Sequence, residues 1–451
     1  MIRRVSRVLL DLDEVPRYYI NILPHLKEPL PPPLNPGTGE PIGPEALMAI
    51  FAIECVRQEV TMEKTVPIPE EVREAYQMYG RPTPLQRAVG LEAALNTPAR
   101  IYYKREDASP TGSHKLNTAL AQAYYAKNEG VTRYATETGA GQWGSAVSLS
   151  CAHFGLKAMV YMVRVSLEQK GYRGILMRSY GAEIVSSPSD KTEFGRKIKA
   201  EQPDHPGTLG IAISEAIEDT VTNDDTKYTI GSVLNHVLLH QTVIGQETMI
   251  QLEKEDVVPD AIIGCVGGGS NFAGIAYPFI ADGGFESTDF IGVEPTACPS
   301  MTKGEYKYDF GDTAGMTPMV KMHSLGNNFT PPPIHAGGLR YHGVAPSISA
   351  LLLEDRIRAV AYDQIPVLES AILFAKAEGV IPAPESAHAV KAAIDAARDA
   401  KKNSKESVIV FNLSGHGHFD MGAYGALMDG TLVPNGAVSI SKSKAVEEQT
   451  A

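Results

Sequence analysis

The sequence predicts an α/β fold of two lobes, each a mostly parallel sheet wrapped by helices. Short apolar strands alternate with helical segments along most of the chain, as at 100–104, 157–162 and 182–185. Strands that alternate with helices form parallel sheets covered by helices. A second observation is the apolar run 261–266, which a glycine-rich stretch separates from a helical segment that begins near Phe272. The third is a length of 451 residues, which is enough for two lobes.

Three regions follow from this pattern. Residues 1–80 are expected to form an N-terminal extension, 81–232 an N-terminal lobe and 233–451 a C-terminal lobe. Within the extension, prolines at 31–33 predict a stiff connector, and Pro44 predicts the start of a helix that continues to about Glu59. We expect the extension to pack on the body and the polar end, 441–451, to fray.

Composition limits the classes of partner and the compartment. A net charge of −12 argues against nucleic acid or an anionic membrane as a main partner, so anionic substrates must meet local positive groups. The apolar run near the N-terminus is too short for a signal peptide, and no run has the length of a membrane span. The cysteines form no C-x-x-C pair, as in proteins with reduced thiols; they are Cys55, Cys151, Cys265 and Cys298. A cytoplasmic location is expected.

Two segments together suggest a pyridoxal-phosphate site. Lys115 offers an amine that can form a Schiff base with an aldehyde cofactor, and 116–127 has helical spacing, which places the amine near a helix start. Glycines 267–269, between a strand and a helix, let backbone N–H groups approach a phosphate. The run is neither G-x-G-x-x-G nor a Walker loop, so a dinucleotide site is the weaker alternative. A solvated lysine and a tight structural turn remain open from these residues alone.

Three more segments extend this pattern. They are Glu137-Thr138-Gly139-Ala140-Gly141-Gln142-Trp143-Gly144, then Glu378-Gly379-Val380-Ile381-Pro382-Ala383, then Asn412-Leu413-Ser414-Gly415-His416-Gly417. With the lysine and glycine segments, they resemble the tryptophan synthase β-subunit family of fold-type-II pyridoxal-phosphate enzymes, over roughly residues 80 to 425. Enzymes of the same scaffold that make cysteine or threonine, or dehydrate serine, typically lack the acid-led loop at 137. This chain starts with a longer extension than is common in the family.

The resemblance implies a homodimeric lyase of tryptophan biosynthesis that joins indole to an aminoacrylate made from a serine derivative. Lys115 would hold the cofactor and later act as a general base. Ser414 would face the pyridine nitrogen, where a neutral hydroxyl makes the ring a mild electron sink and favours β-elimination over transamination. A monovalent cation held by backbone carbonyls is also implied. The remaining implied cofactor-binding residues are His114, Asn117, Gly267, Gly268, Gly269, Ser270, Asn271 and Glu378.

Glu137 and the loop after it are the implied substrate site. Family position implies that Glu137 assists loss of the β-substituent and later takes a proton when indole attacks. The loop would donate N–H and hydroxyl groups to the substrate carboxylate. Trp143 stands where the family usually has histidine, and we expect it to shape the pocket wall. The residues implied for substrate binding here are Thr138, Gly139, Ala140, Gly141, Gln142 and Trp143.

Arg340 is a departure from the family pattern. The common pattern has an aspartate after Gly-Leu that accepts a hydrogen bond from the serine hydroxyl, whereas this chain reads Gly338-Leu339-Arg340. Arginine cannot accept that bond, but its planar fork can hold a phosphate. O-phospho-L-serine is therefore the expected β-donor, with L-serine as the second choice. The alternative is an arginine turned to solvent or paired with a local acid.

Other functions stay open at this point. A β-eliminating or β-replacement enzyme that releases pyruvate and ammonia from serine would use the same scaffold, and a non-catalytic homologue could act as a binding module. The joint presence of Lys115, Glu137 and Ser414 speaks against the latter. His236 and His240 have the spacing of zinc ligands but no identifiable third ligand, so no metal is expected. Whether an α subunit docks is left open, because the extension alters the start of the chain.

Overall fold

The computed structural model describes residues 7–434. Its strands are β1 Arg7–Val8, β2 Tyr18–Ile20, β3 Thr65–Pro67, β4 Leu85–Arg87, β5 Arg100–Lys104, β6 Arg133–Thr138, β7 Lys157–Val163, β8 Glu183–Ser187, β9 Thr226–Tyr228, β10 Ala261–Cys265, β11 Asp289–Pro295, β12 Glu305–Phe310, β13 Met319–Ser324, β14 Arg358–Tyr362 and β15 Val408–Asn412. Its α-helices are α1 Glu45–Met48, α2 Ile53–Val60, α3 Glu70–Met78, α4 Val89–Leu95, α5 Leu116–Asn128, α6 Gln142–Phe154, α7 Arg164–Gln169, α8 Gly171–Ser179, α9 Glu193–Glu201, α10 Leu209–Val221, α11 Asn235–Gln241, α12 Val243–Lys254, α13 Ser270–Asp282, α14 Ser300–Lys303, α15 Pro346–Leu353, α16 Gln364–Glu378, α17 Pro384–Lys402 and α18 Met421–Met428.

Two sheets form the body, as the strand and helix alternation predicts. The larger has seven strands in the order β1-β4-β5-β15-β10-β11-β14, and the five strands from β5 to β14 are parallel. The smaller has four parallel strands in the order β8-β7-β6-β9. Helices cover both sheets, because strands such as β10 and β15 are buried along their whole length and must be shielded on both faces. The expected α/β class is confirmed.

Sheet membership differs from the expected division of the chain at residues 80 and 232. Strands β1, β4 and β5 precede the small sheet in sequence but belong to the large one, where β5 lies parallel to β15. The residues of β5 alternate between two buried faces, and pairing with β15 places both faces in the core of the large sheet. The small sheet is thus an insertion between β5 and β10 in the sequence.

The N-terminal segment packs against the body. Strand β1 extends the large sheet through β4, and the side chains of Tyr19, Val72 and Tyr76 are fully buried in the central core. The single helix expected to run from Pro44 to about Glu59 is instead two short helices, α1 and α2. They separate because the Glu129 carboxylate accepts hydrogen bonds from the backbone N–H groups of residues 53 and 54, which caps a new helix start.

The Glu137 loop, the glycine run and the serine loop meet because of this topology. Strands β6, β10 and β15 are parallel members of the two sheets, and each is followed directly by one of the predicted functional segments. Ligands of open α/β sheets bind outside the carboxyl ends of the strands. Across residues 7–434, no helix has the length and apolarity that crossing a bilayer would require.

Candidate active site

A cavity lies between the two sheets, at the carboxyl ends of β6, β10 and β15. It gathers most of the residues expected to act together. Those that line it are His114, Lys115, Glu137, Thr138, Gly139, Ala140, Gln142, Trp143, Gly267, Gly268, Gly269, Ser270, Asn271 and Ser414. These come from segments more than 290 residues apart, so only the tertiary fold brings them to one place.

Lys115 lies at the N-terminal end of α5, as its sequence context predicts. Its ammonium Nζ donates a hydrogen bond to the backbone oxygen of Gly231 at 2.9 Å. Burial lowers the pKa of Lys115 to about 8, while the nearby Glu137 carboxylate acts in the opposite direction. The amine is therefore easier to deprotonate than a lysine in water, which a nucleophile or general base requires.

Glu137 is the penultimate residue of β6 and is only 4% exposed. Burial raises the pKa of its carboxyl to about 7, although the Tyr228 hydroxyl donates a hydrogen bond to Oε2 at 2.5 Å and favours the charged form. A carboxyl that titrates near pH 7 can both give and take a proton under physiological conditions. The buried environment of Glu137 therefore fits a general acid–base group rather than a charged residue on the solvated surface.

The loop after Glu137 turns from β6 into α6. Gly141, with φ +88°, is the residue that begins the helix, and the aliphatic stem of Arg173 fills the space where its Cβ would be. Within residues 7–434, the backbone N–H groups of Gly139, Ala140 and Gln142 donate no hydrogen bond. Exposed N–H groups at a helix start form a site for an anion such as a carboxylate. Gly141 itself does not line the cavity.

Trp143 forms part of the cavity wall and is almost fully buried. Its indole Nε1–H donates to Thr136 Oγ1 at 2.8 Å, which satisfies the polar end of the ring. The ring packs so closely on Gly231 that a Cβ there would lie 2.5 Å from it. Its placement fits the expected role of a wall residue.

The glycine run forms a cradle of backbone N–H groups at the start of α13. Gly269 has φ +113°, and a Cβ at this position would lie 2.2 Å from Ile348 Cδ1. A Cβ at Gly268 would meet the Ser232 hydroxyl at 2.6 Å. Glycines 267–269 donate no backbone hydrogen bond to any other residue of the described chain. Free N–H groups ahead of α13, together with the helix dipole, suit the phosphate of pyridoxal phosphate.

His114 and Ser414 are joined across the cavity. The backbone N–H of His114 donates to Ser414 O at 2.9 Å, and the ring Nδ1 lies 3.3 Å from the same oxygen. Since a carbonyl only accepts, Nδ1 carries the proton and Nε2 can accept from the Ser270 hydroxyl at 3.3 Å. Burial lowers the pKa of His114 to about 3, so the ring is neutral. Ser414 Oγ lies 2.6 Å from Ser386 Oγ, which orients the hydroxyl.

The expectation for Glu378 is corrected by its position. It does not line the cavity, because its carboxylate accepts from the Leu91 backbone N–H at 2.8 Å and from the Tyr103 hydroxyl at 3.4 Å. Glu385, seven residues later, lines the cavity instead and accepts from Gly338 N–H at 2.7 Å. Glu385 was not among the predicted site residues, although an acid directly after Pro384 at the start of a helix was an available signal.

Asn117 is a second correction. Its side chain is turned away from the cavity into a buried charge network, where it accepts from Arg81 Nη1 at 2.9 Å and donates to Glu106 at 3.1 Å. Ser232 was missed altogether, and no sequence signal marks it. Its hydroxyl accepts from the Ser270 backbone N–H at 3.1 Å beside the cradle.

Arg340 lies one layer behind the cavity rather than in its lining. It is 7% exposed, its Nη2 donates to the Ser166 hydroxyl, and its side chain contacts Gly337, which does line the cavity. The arginine is neither turned to solvent nor paired with an acid: among the described residues no carboxylate oxygen lies within ion-pairing distance of it. Neither alternative considered from the sequence therefore describes it.

The two histidines considered for zinc have protein partners. His236 Nδ1 lies 2.8 Å from Glu59 Oε2, and His240 lies between Thr118 and Gln58 at 3.0 and 2.7 Å. The thiols Cys55, Cys151, Cys265 and Cys298 are all buried and free, and Cys265 lines the cavity. Among the described residues, Nε2 of His236 has no hydrogen-bond partner.

Comparisons with known proteins agree with this geometry. A family model described as pyridoxal-phosphate dependent enzyme matches residues 76–415. Tryptophan synthase beta chain 2 of Aeropyrum pernix is 62% identical over 427 residues, which are 94% of this chain and 95% of that protein. Tryptophan synthase beta chain 2 of Thermococcus kodakarensis is 59% identical over 428 residues, which are 94% of this chain and 97% of that protein.

Solved structures support the fold alone. A fungal L-serine ammonia-lyase from Rhizomucor miehei superposes with a TM-score of 0.58 at 19% identity, covering 78% of this chain and 98% of that one. Threonine deaminase isoform 2 from Solanum lycopersicum has a TM-score of 0.57 at 21% identity, covering 77% and 87%. The family match spans most of the chain and the β-chain relatives nearly all of it. The chain therefore belongs to the pyridoxal-phosphate dependent enzymes and, among them, to the tryptophan synthase β chains.

Proposed function

We propose that this protein catalyses β-replacement of the tryptophan synthase β type, joining indole to the three-carbon unit of L-serine or O-phospho-L-serine to give L-tryptophan. One observation carries the proposal: a buried amine with a lowered pKa, a carboxyl with a raised pKa and a glycine cradle line the same cavity. A structural lysine and glutamate would instead form an ion pair or face solvent. The names of relatives at 62% and 59% identity support the same reaction.

Lys115 and Glu137 divide the proton transfers. When bound, pyridoxal phosphate supplies an aldehyde for the amine and a ring that withdraws electrons from the substrate α-carbon. Lys115 Nζ, with its pKa near 8, removes the proton from that carbon as a general base. Glu137, with its pKa near 7, donates a proton to the leaving β-substituent when that is hydroxide and later accepts one from indole. Tyr228 holds Glu137 in place for both transfers.

The other cavity residues bind and orient. The backbone N–H groups of Gly139, Ala140 and Gln142, with the Thr138 hydroxyl, would bind the substrate carboxylate. Ser414 presents a neutral hydroxyl to the ring nitrogen, and Ser386 fixes its direction. The cradle at Gly267–Asn271 holds the cofactor phosphate, with neutral His114 behind it. The Trp143 ring and the apolar side chains beside it exclude water and suit a flat aromatic nucleophile.

O-phospho-L-serine is the proposed preferred donor. Arg340 supports this because it is a buried guanidinium with no carboxylate partner among the described residues, close behind the cavity wall at Gly337. Phosphate is a better leaving group than hydroxide. Its negative charge would also pair with the guanidinium of Arg340. Arg340→Ala should lower kcat/KM for phosphoserine at least about tenfold, since a charge-assisted hydrogen bond contributes about 1.5–3 kcal/mol, and should affect serine less. Equal losses for both donors, or a wild type that prefers serine, would refute the donor proposal.

A homodimer in the cytoplasm and a bound monovalent cation complete the proposal, and docking of an α subunit is left open. Sedimentation velocity tests the dimer, and turnover in potassium, sodium and bulky organic-cation buffers tests the cation. Addition of an α subunit tests docking, since an unchanged sedimentation coefficient would mean that none binds.

The reaction itself is tested with the purified, cofactor-loaded enzyme. Borohydride reduction should attach pyridoxyl mass to the peptide that contains Lys115, and indole with either donor should yield tryptophan. Lys115→Ala should keep cofactor in the cradle but lose turnover. Label on another lysine would contradict the assigned role of Lys115, and pyruvate release without tryptophan would replace the proposal with a β-eliminating function.

A further inference from the structure

We propose that the turn at residues 232–234 is a strained backbone element that shapes the phosphate cradle, and that Glu59 of the N-terminal segment is the positioning residue that holds it. Glu59 does not line the active-site cavity, so it acts through the turn. The proposal rests on the proposed binding of the cofactor phosphate at the glycine cradle. It gives the N-terminal segment a part in cofactor binding.

The backbone of Val233 is unusual for a residue of its type. Its φ is +74°, in the left-handed region that a β-branched side chain strongly disfavours. The other non-glycine residues of the described chain with positive φ lie one or two positions past the end of a helix, where this conformation is common. They are Asn96, Asp256, Asp355 and Ser404. Val233 precedes helix α11 instead, so helix termination does not explain its strain.

Val233 is the central residue of a three-residue turn. The Leu234 N–H donates to Ser232 O at 2.9 Å, and with positive φ between them this is the strained form of the γ-turn. Strain of this kind persists only where the surrounding structure imposes it, and it concentrates at functional sites. The turn lies at such a place, because Gly231, directly before it, accepts a hydrogen bond from Lys115 Nζ.

The turn packs directly on the glycine cradle. The Ser232 hydroxyl accepts from the Ser270 backbone N–H at 3.1 Å, at the start of α13. A Cβ at Gly268 would lie 2.6 Å from Ser232 Oγ and 2.6 Å from Val233 Cγ2. Both side chains therefore form the wall behind the cradle, and relaxation of the turn would move that wall.

Glu59 fixes the other end of the turn. Its Oε2 accepts from the His236 backbone N–H at 2.9 Å and lies 2.8 Å from His236 Nδ1, at the start of α11, where a negative charge is favoured. The Asn235 side-chain amide donates to the Glu59 backbone oxygen at 3.4 Å. One residue earlier on α2, Gln58 Oε1 lies 2.7 Å from His240 Nε2. Helix α2 thus holds α11 at two points, which keeps the residues between α11 and the cradle in the strained conformation.

Cofactor binding to the full-length apoprotein tests the role of Glu59. The measurement is the Kd for pyridoxal 5'-phosphate and for pyridoxal, which lacks the phosphate. Glu59→Ala should raise the Kd for pyridoxal phosphate at least about tenfold, because it removes the charged acceptor at α11, and should raise the Kd for pyridoxal much less. Glu59→Gln keeps an oxygen for the His236 N–H and should lie between Glu59→Ala and wild type.

Glu218→Ala is the matched control. The Glu218 carboxylate also accepts hydrogen bonds at a helix start, from the backbone N–H groups of Glu193 and Phe194 on α9. No residue of α9 lines the active-site cavity. This variant should bind both forms of the cofactor like wild type.

A double-mutant cycle tests whether strain is what Glu59 holds. Glycine adopts a φ of +74° without strain, so Val233→Gly should make the turn less dependent on its anchor. Glu59→Ala should therefore raise the Kd for pyridoxal phosphate by a smaller factor in the Val233→Gly background than in wild type. A general loosening of the protein would give the same factor in both backgrounds.

Three results would overturn the proposal: an unchanged Kd for pyridoxal phosphate in Glu59→Ala, an equal loss for both forms of the cofactor, or an equal factor in both backgrounds. Gly269→Ala separates this proposal from the proposed phosphate site. If Gly269→Ala and Glu59→Ala both leave the preference for pyridoxal phosphate over pyridoxal intact, the phosphate does not bind at the cradle. If only Gly269→Ala reduces that preference, the cradle stands and the role of Glu59 is wrong.

Discussion

Glu137→Gln is the substitution whose outcome the structure fixes most sharply. The amide keeps an oxygen that can accept from Tyr228, so the packing around residue 137 is preserved while the titration is removed. Turnover should fall by about two to four powers of ten, the usual effect of losing a general acid–base group. Binding of the cofactor should persist, because none of the cradle residues is altered.

The stability of the apoenzyme should respond in the opposite direction from its activity. Burial raises the pKa of Glu137 from 4.5 to about 7, so folding favours the protonated form. This contribution is fully present below pH 4.5 and is lost as pH rises through about 7. A difference of roughly two to three pKa units corresponds to about 3 kcal/mol. The glutamine variant does not titrate, so above neutral pH it should exceed wild type by up to about that amount.

Urea unfolding of both apoproteins from about pH 5 to pH 8.5 measures this difference. Glu106→Gln is the control without a trend in this range, since Arg81 and Lys104 outweigh burial and hold the pKa of Glu106 at about 2. That variant should be less stable than wild type by a constant amount from pH 5 to pH 8.5, because the stabilisation from Glu106 is lost only as pH falls from 4.5 through about 2. If the difference in unfolding free energy between Glu137→Gln and wild type stays constant across this range, residue 137 does not titrate there. The proposed acid–base role of Glu137 would then be wrong.

Three further outcomes follow from the same contacts. Gly269→Ala should raise the Kd for pyridoxal phosphate at least about tenfold, because the backbone is left-handed and a Cβ would overlap Ile348. Gly379→Ala, also left-handed but in open space, is the control. Equal cofactor affinities of the two variants would contradict the role of the glycine cradle. Arg81→Met should cost about 3–5 kcal/mol in urea unfolding, since it leaves buried Glu106 without its ion-pair partner and Glu247 with Lys104 alone, and a loss near zero would mean the network is not structural. Ser414→Ala should weaken cofactor binding about two- to tenfold and alter the absorption spectrum of the bound cofactor; an unchanged spectrum would place the serine away from the ring.

Much of the fold could be predicted because its determinants are local. The helix predicted over 116–127 runs from Leu116 to Asn128, and strand 261–266 is found at Ala261–Cys265. Apolar spacing sets these elements, and the positive φ of Gly269 and Gly141 shows that the turns after β10 and β6 need glycine. The predicted end of the chain, 441–451, lies outside the described residues.

The predictions for Glu378 and Asn117 differ from the structure for one reason, which is that tertiary contacts decide where a polar side chain points. Glu378 and Glu385 stand in the same segment, and spacing alone does not say which carboxylate meets the cavity. The packing of α16 against α4 binds Glu378 to the Leu91 N–H, while the start of α17 directs Glu385 inward. Asn117 was drawn into the Arg81 network by partners distant in sequence, including Gln241.

By itself, the sequence determined the α/β class, the position of Lys115 at a helix start and the order of the functional segments, because periodicity and glycine stereochemistry act over a few residues. Only the tertiary structure decided that Glu137 is buried enough to titrate near pH 7, that Ser232 and Glu385 join the site, and that Arg340 lies behind Gly337 without a counter-ion. Burial and charge pairing depend on residues hundreds of positions away. The chemical character of a side chain is therefore fixed by the sequence, but its pKa and its partner are fixed by the fold.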